Sequence, residues 1–209
     1  MPIKCIVFDF MGVIFEDADD TRDLLVPYIQ QRNSTVTQEQ IVDLYIETSL
    51  GHMLSADLWQ ECGLGNYYPA VEKDYLDSCL RLDPDFIGIA EQLSQNYSLA
   101  VLSNDVAEWN DYLRAKYDMY RLFDAIVISG EVGHRKPDPA IYNILLNRAM
   151  CLPENCLFID DSPRNLKAAS EMGIKTCLFA RQPYEDDFKP DFEINGFADL
   201  PALLQGLSE

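Results

Sequence analysis

Five nearly continuous apolar runs constrain this chain more than any other feature. Ile3–Phe8 is broken only by Lys4 and stops abruptly at Asp9, with Gly12 close behind. Similar runs recur at Ser98–Leu102, Ala125–Ser129, Cys156–Ile159 and Thr176–Ala180. An uninterrupted run of this length suits a strand buried on both faces of a parallel sheet. Helix-like stretches separate the later runs, at Phe86–Gln95, Ala107–Lys116, Ala140–Met150 and Arg164–Met172. Strands alternating with helices through short links predict an α/β fold with right-handed crossovers. A weaker strand at Phe192–Ile194 and a helix at Leu200–Leu207 would close it.

The stretch from Glu16 to Pro84 breaks this rhythm. Thr21–Gln31, Gln38–Ser49, Ser55–Cys62 and Tyr68–Leu80 read as helices, and no link between them resembles a buried strand. Thr37 or Ser55 would cap the helices that follow them. Roughly seventy helical residues between two strands exceed a simple crossover. The expected organisation is a core of residues 1–15 and 85–209 with a helical cap, residues 16–84, inserted after the first strand. The length of 209 residues fits one domain carrying an insertion.

Charge narrows the partners. With a formal net charge of −19, the surface repels nucleic-acid backbones and anionic membranes. It also repels a phosphorylated substrate, unless a cation and local basic groups reverse the field at the site. No apolar run approaches the roughly 18 residues a membrane span needs, and the N-terminus lacks a secretory pattern. The expectation is a cytoplasmic protein. Six scattered cysteines form no C-x-x-C pair and the chain has two histidines, so buried reduced thiols are expected and a zinc site is not.

In an open parallel sheet, ligands bind beyond the carboxyl ends of the strands. Those ends carry Asp9, Ser103-Asn104-Asp105 and Asp160-Asp161, while Lys136 follows the run ending at Ser129. Three carboxylates in a partly dry crevice repel one another, and a divalent cation resolves the conflict. Few oxygen ligands, with room for water and phosphate, suit Mg²⁺ better than Ca²⁺ or Zn²⁺. A carboxylate such as Asp9 can attack phosphorus. Ser103 can hold a phosphoryl oxygen, and Lys136 adds positive charge for the transition state. Gly12 permits a tight turn beside the nucleophile.

Asp9-Phe10-Met11-Gly12-Val13-Ile14, Leu102-Ser103-Asn104, Arg135-Lys136-Pro137-Asp138-Pro139 and Phe158-Ile159-Asp160-Asp161 resemble the four ordered motifs of the haloacid dehalogenase-like superfamily. The spacing matches over nearly the whole chain, with the helical insertion where one branch places its cap. Asp160-Asp161-Ser162-Pro163-Arg164-Asn165 is similar to the motif of glucose-1-phosphatases and of the N-terminal phosphatase domains of soluble epoxide hydrolases. The resemblance implies a Rossmann-like core, Mg²⁺ and a small phosphorylated substrate. It implies that Asp9 is both nucleophile and metal ligand, with the Met11 main-chain carbonyl and Asp160 as further ligands. Asp161 and Asn165 would act directly or through water, and Ser103, Asn104 and Lys136 would hold the transferring group.

One position departs from the family pattern. Related phosphatases carry a second aspartate two residues after the nucleophile, which protonates the leaving oxygen and later activates water; here Met11 stands there. General acid–base help is worth about 10²–10⁴ in rate. His134 either replaces that acid or is merely solvated. Asp105 is either a helix cap or part of the site. Trp59, Tyr67 and Tyr68 are expected to pack between cap and core, His52 to occupy a turn, and Glu185-Asp186-Asp187 to form a solvated loop. Two rival functions stay open: a 2-haloacid dehalogenase, which needs neither metal nor second acid, and a weakly catalytic protein binding Mg²⁺ and phosphate.

Overall fold

The computed structural model describes residues 2–17, 19–181 and 186–207. Six parallel strands, β1 (Cys5–Phe8), β2 (Ser98–Ser103), β3 (Ala125–Ile128), β4 (Cys156–Asp160), β5 (Lys175–Phe179) and β6 (Phe192–Ile194), form one sheet in the order β3-β2-β1-β4-β5-β6. β1 is central, with Phe8 opposite Val101 of β2 and Ile159 of β4. The chain winds outward from β1 in both directions, so the reversal lies between β1 and β4, where such sheets open a crevice for ligands.

The apolar runs are continuous because both faces of the sheet are covered. Ile6, Phe8, Leu99, Val101 and Ile159 enter one core, together with Phe86 of α5 (Phe86–Leu93), Trp109 of α6 (Ala107–Lys116) and Leu200 of α10 (Leu200–Gly206). Their alternating neighbours Cys5, Val7, Ala100, Leu102 and Phe158 enter the other, against Tyr142 of α8 (Pro139–Ala149) and Leu166 of α9 (Pro163–Glu171). A polar residue inside such a strand would face one of these cores. Polar side chains therefore collect at strand ends.

Between β1 and α5 run α1 (Val26–Arg32), α2 (Gln38–Ser49), α3 (Ser55–Glu61) and α4 (Ala70–Ser78), with no sheet strand among the described residues there. A π-helical turn at Thr21–Leu25 leads into α1. Thr37 caps α2 as expected, its hydroxyl accepting from the Gln40 N–H while Gln40 Oε1 accepts from the Thr37 N–H. Ser55 does not cap. It is already helical, and its N–H donates to Glu108 of α6. The fourth helix starts two residues later than expected, at Ala70, because Tyr68 and Pro69 lie outside it.

Aromatic packing joins this insert to the core. Trp59 and Trp109 lie 6.1 Å apart, Tyr75 stands 5.4 Å from Trp109, and Tyr45 stands 6.0 Å from it. The indole N–H groups of Trp59 and Trp109 both donate to Glu72 Oε2, at 2.8 and 2.7 Å. Trp59 thus packs as expected, but Tyr67 and Tyr68 are exposed and do not. They fall in and after a short 3₁₀ turn, Gly65–Tyr67, which carries them outward. All six cysteines are free, four of them buried. Among the described residues no helix is long and apolar enough to cross a membrane.

Candidate active site

Asp9 directly follows β1, and its N–H donates to Ile159 of β4 at 2.9 Å, carrying the ladder one residue past the strand. Asp160 is the last residue of β4. Lys136 reaches between them from the loop after α7 (Ser129–Val132). Its Nζ lies 2.6 Å from Asp9 Oδ1 and 2.8 Å from Asp160 Oδ2, and donates to the Leu102 carbonyl at 3.0 Å. All three protons of the ammonium thus have acceptors, which a side chain only 1% exposed requires.

Asn104 fixes the loop that presents this lysine. Its Nδ2 donates to the Lys136 carbonyl at 3.0 Å, and its Oδ1 accepts from the Lys136 N–H at 2.7 Å. The amide read as a ligand for the transferring group is therefore engaged with the main chain of Lys136. Asn165 donates from Nδ2 to both oxygens of Asp160, at 3.2 Å each, and the Ser162 N–H donates to Asp160 Oδ1 at 2.7 Å.

One carboxylate oxygen from each of Asp9, Asp160 and Asp161 lies within 4.8 Å of the others. Burial, opposed by Lys136 but reinforced by Asp160 and Asp161, holds the Asp9 carboxyl well above its ordinary range. Burial and the neighbouring Asp160 push Asp161 up to about 7. For Lys136, burial works to lower the value, but Asp160 and Asp9 outweigh it and the ammonium is retained. One lysine faces three carboxylates, so a second cation would relieve the repulsion. The donors are all oxygens and few, the set a hard divalent ion such as Mg²⁺ accepts.

Gly12 explains how Asp161 reaches this group. Its φ of +79° is left-handed, and a Cβ there would stand 2.5 Å from the Asp161 carboxylate carbon. Arg181, past the end of β5, holds the same loop. It donates to the Gly12 and Val13 carbonyls at 3.1 and 2.7 Å and pairs with Asp83 at 2.8 Å. Nothing near Arg181 in the sequence marks it for this task; the contact spans 169 residues.

A cavity of about 390 Å³ opens over these groups. Asp9, Met11, Ser103, Asn104, Lys136, Asp161 and Asn165 line it, with Asp160 wholly buried behind them. The insert supplies further lining, including Asp20, Thr21, Val42, Tyr45 and Ile46. Asp105 does not line the cavity. Its carboxylate accepts from the Val106 N–H and from Asn110 Nδ2, fastening the start of α6. His134 lies outside the cavity too, paired with Asp138 at 3.1 Å, and His52 pairs with Glu47 at 2.8 Å beside its turn. Of the acidic segment 185–187, Glu185 lies outside the described residues, and Asp186 and Asp187 are exposed.

Comparison with known proteins gives this geometry a context. Residues 6–179 match the family described as haloacid dehalogenase-like hydrolase. The chain is 33% identical over 158 residues to the drimenol cyclase drtB of Aspergillus calidoustus, a match covering 64% of this chain and 30% of that protein. It is 27% identical over 136 residues to a glyceraldehyde 3-phosphate phosphatase of Methanopyrus kandleri, covering 60% of this chain and 58% of the relative. The match therefore spans under two thirds of the length of either relative. A phosphatase of this superfamily from Thermococcus onnurineus shares the fold, with a TM-score of 0.74 and 20% identity over 98% of this chain and 99% of the other. Bifunctional epoxide hydrolases and a haloacid dehalogenase also occur among the matching proteins. A match running from the first strand to the fifth takes in every strand end that meets at Asp9, and the chain accordingly belongs to the haloacid dehalogenase-like hydrolase family.

Proposed function

We propose that this hydrolase is an Mg²⁺-dependent phosphatase acting on a small phosphorylated metabolite through an aspartyl-phosphate on Asp9. One observation carries the reading: Asp9 stands at a strand end with an ammonium 2.6 Å away and two further carboxylates within 4.8 Å, at the base of a cavity of metabolite size. Phosphatases among the relatives support it.

Asp9, Asp160, Asp161 and the Met11 carbonyl would hold the ion, with Asn165 acting directly or through water. When bound, Mg²⁺ would neutralise the carboxylates and polarise a phosphoryl oxygen. The chain's own residues supply the rest. Lys136 offsets charge on the transferring group, and the Ser103 hydroxyl holds one of its oxygens. Asn104 keeps Lys136 in place through its main chain. Residues 16–84 form the cap that closes the cavity from above and selects the substrate. Hydrolysis across a panel of phosphate esters tests the reading. It is expected to vanish in EDTA and in Asp9→Asn, and turnover unaffected by both would overturn it.

Met11 favours a second reading, since a 2-haloacid dehalogenase needs no acid at that position. The three clustered carboxylates oppose it, because without a cation they repel a carboxylate substrate. Chloride release from 2-chloropropionate in EDTA would reverse the ranking.

A further inference from the structure

Asp20 stands at the start of the helical insert, immediately before the π-helical turn, and lines the same cavity as Asp9. It is only 6% exposed, and its Oδ2 has no hydrogen-bond partner among the described residues. A buried carboxylate oxygen without a partner is costly if ionised. Burial, with Asp105 and Asp19 adding repulsion, pushes this carboxyl up to about 8, while the Thr21 N–H and Arg135 pull the other way. Tyr45 and Tyr75 complete the titratable surroundings, and the hydroxyls of both are held well above their ordinary range by burial and by Asp20 itself. Burial without a partner thus favours the protonated form of this carboxyl. Met11, which lines the cavity beside Asp9, has no proton to give, whereas Asp20 on the same cavity is a carboxyl that burial keeps toward its protonated form.

We propose that Asp20 is the catalytic acid of this cavity, delivering from the insert the proton that Met11 cannot supply. The inference rests on the phosphatase reading above. In the first step an Asp9 oxygen forms a bond to phosphorus as the bond from phosphorus to the leaving oxygen breaks. The electron pair left on that oxygen takes the Asp20 proton, and an alcohol departs. In the second step a water oxygen bonds to phosphorus and its proton passes to the Asp20 carboxylate. The bond to Asp9 breaks, releasing phosphate and restoring both side chains. Among the described residues, two other candidates for the role are held elsewhere. His134 is outside the cavity and tied to Asp138, and Asp105 is tied to Asn110 and the Val106 N–H.

The test compares two esters in Mg²⁺ buffer: an alkyl phosphate, whose leaving oxygen needs a proton, and p-nitrophenyl phosphate, whose leaving oxygen departs as an anion. In Asp20→Asn, kcat on the alkyl ester is expected to fall about 10²-fold or more, and on the aryl ester less than tenfold. The alkyl ester's rate should decline as pH rises through the Asp20 titration in the wild type, and Asp20→Asn should lose that decline. Adding Met11→Asp to Asp20→Asn should restore alkyl turnover. Should Asp20→Asn fail to fold, Asp105→Asn supplies an independent arm. It removes a charge that holds the Asp20 proton without entering the cavity, so the decline should move to lower pH. Equal losses on both esters, an unchanged alkyl rate, or an unmoved decline in Asp105→Asn would each overturn the proposal while leaving the phosphatase reading intact. A wild type that hydrolyses neither ester would overturn both.

Discussion

Removing the Lys136 ammonium is the most informative perturbation of this site. In Lys136→Met the volume is nearly kept, but Asp9 and Asp160, 7% and 0% exposed, lose the cation standing 2.6 and 2.8 Å away. At an effective dielectric of about 20, each of those attractions is worth about 6 kcal/mol before desolvation. Desolvating the three charges offsets much of that, and breaking a buried pair by deleting one partner costs roughly 3–5 kcal/mol. A loss of that size is expected in urea unfolding at pH 7 in EDTA, with the denaturant slope unchanged. The sign with pH follows from Asp9, whose carboxyl burial already raises. A carboxyl whose folded value exceeds its unfolded one weakens the fold as pH climbs between the two. The gap between variant and wild type should therefore narrow as pH falls toward about 5, the direction in which a raised carboxyl regains its proton. Mg²⁺ at a hundred times its Kd should return about 2.7 kcal/mol. A loss under about 1 kcal/mol at pH 7, or one equal at both pH values, would refute the reasoning.

Three further outcomes follow from the same geometry. Gly12→Ala forces a left-handed φ on a residue with a side chain, at roughly 1–2 kcal/mol, and drives its Cβ into Asp161. Calorimetric titration should find Mg²⁺ binding weakened at least tenfold in that variant, and unchanged affinity would refute the close approach. In the proposed site cation binding uses the Asp161 carboxylate, which burial pushes up to about 7, so Mg²⁺ affinity should rise between pH 6 and 8 in the same titration. Glu72→Ala strands the indole N–H groups of Trp59 and Trp109 and should cost about 2–4 kcal/mol in urea unfolding. Glu72→Gln, which keeps an acceptor, should cost less.

Much of the site was legible because strand ends carry it. Ile3–Phe8 and Cys156–Ile159 read as buried strands from their apolar continuity, and once both are strands, Asp9 and Asp160 must emerge at one edge. Lys136 was legible from its motif, and the structure brings its ammonium to both Asp9 and Asp160. Roles that depend on which neighbour a side chain meets were not legible. Asn104 and Asp105 follow the same strand, yet one grips the Lys136 loop and the other fastens α6. Tyr67 and Tyr68 have the composition of packing residues, but a 3₁₀ turn points them outward. Asp20 lies just past Glu16, Asp17 and Asp19, and no local pattern distinguishes it from these acidic neighbours. Only the tertiary packing that buries it sets it apart from them.

The sequence by itself determined the parallel sheet, the order of its helices, the helical insertion and the carboxylates at the strand ends. Those depend on local hydrophobic pattern and on a backbone that must leave a buried strand before it can show a polar side chain. The tertiary structure alone decided which charges share a cavity, which lose water and which partner each keeps. Long-range contacts such as Arg181 to Gly12 and Trp109 to Glu72 set those outcomes, and the energy of a buried charge depends on neighbours that no local pattern encodes.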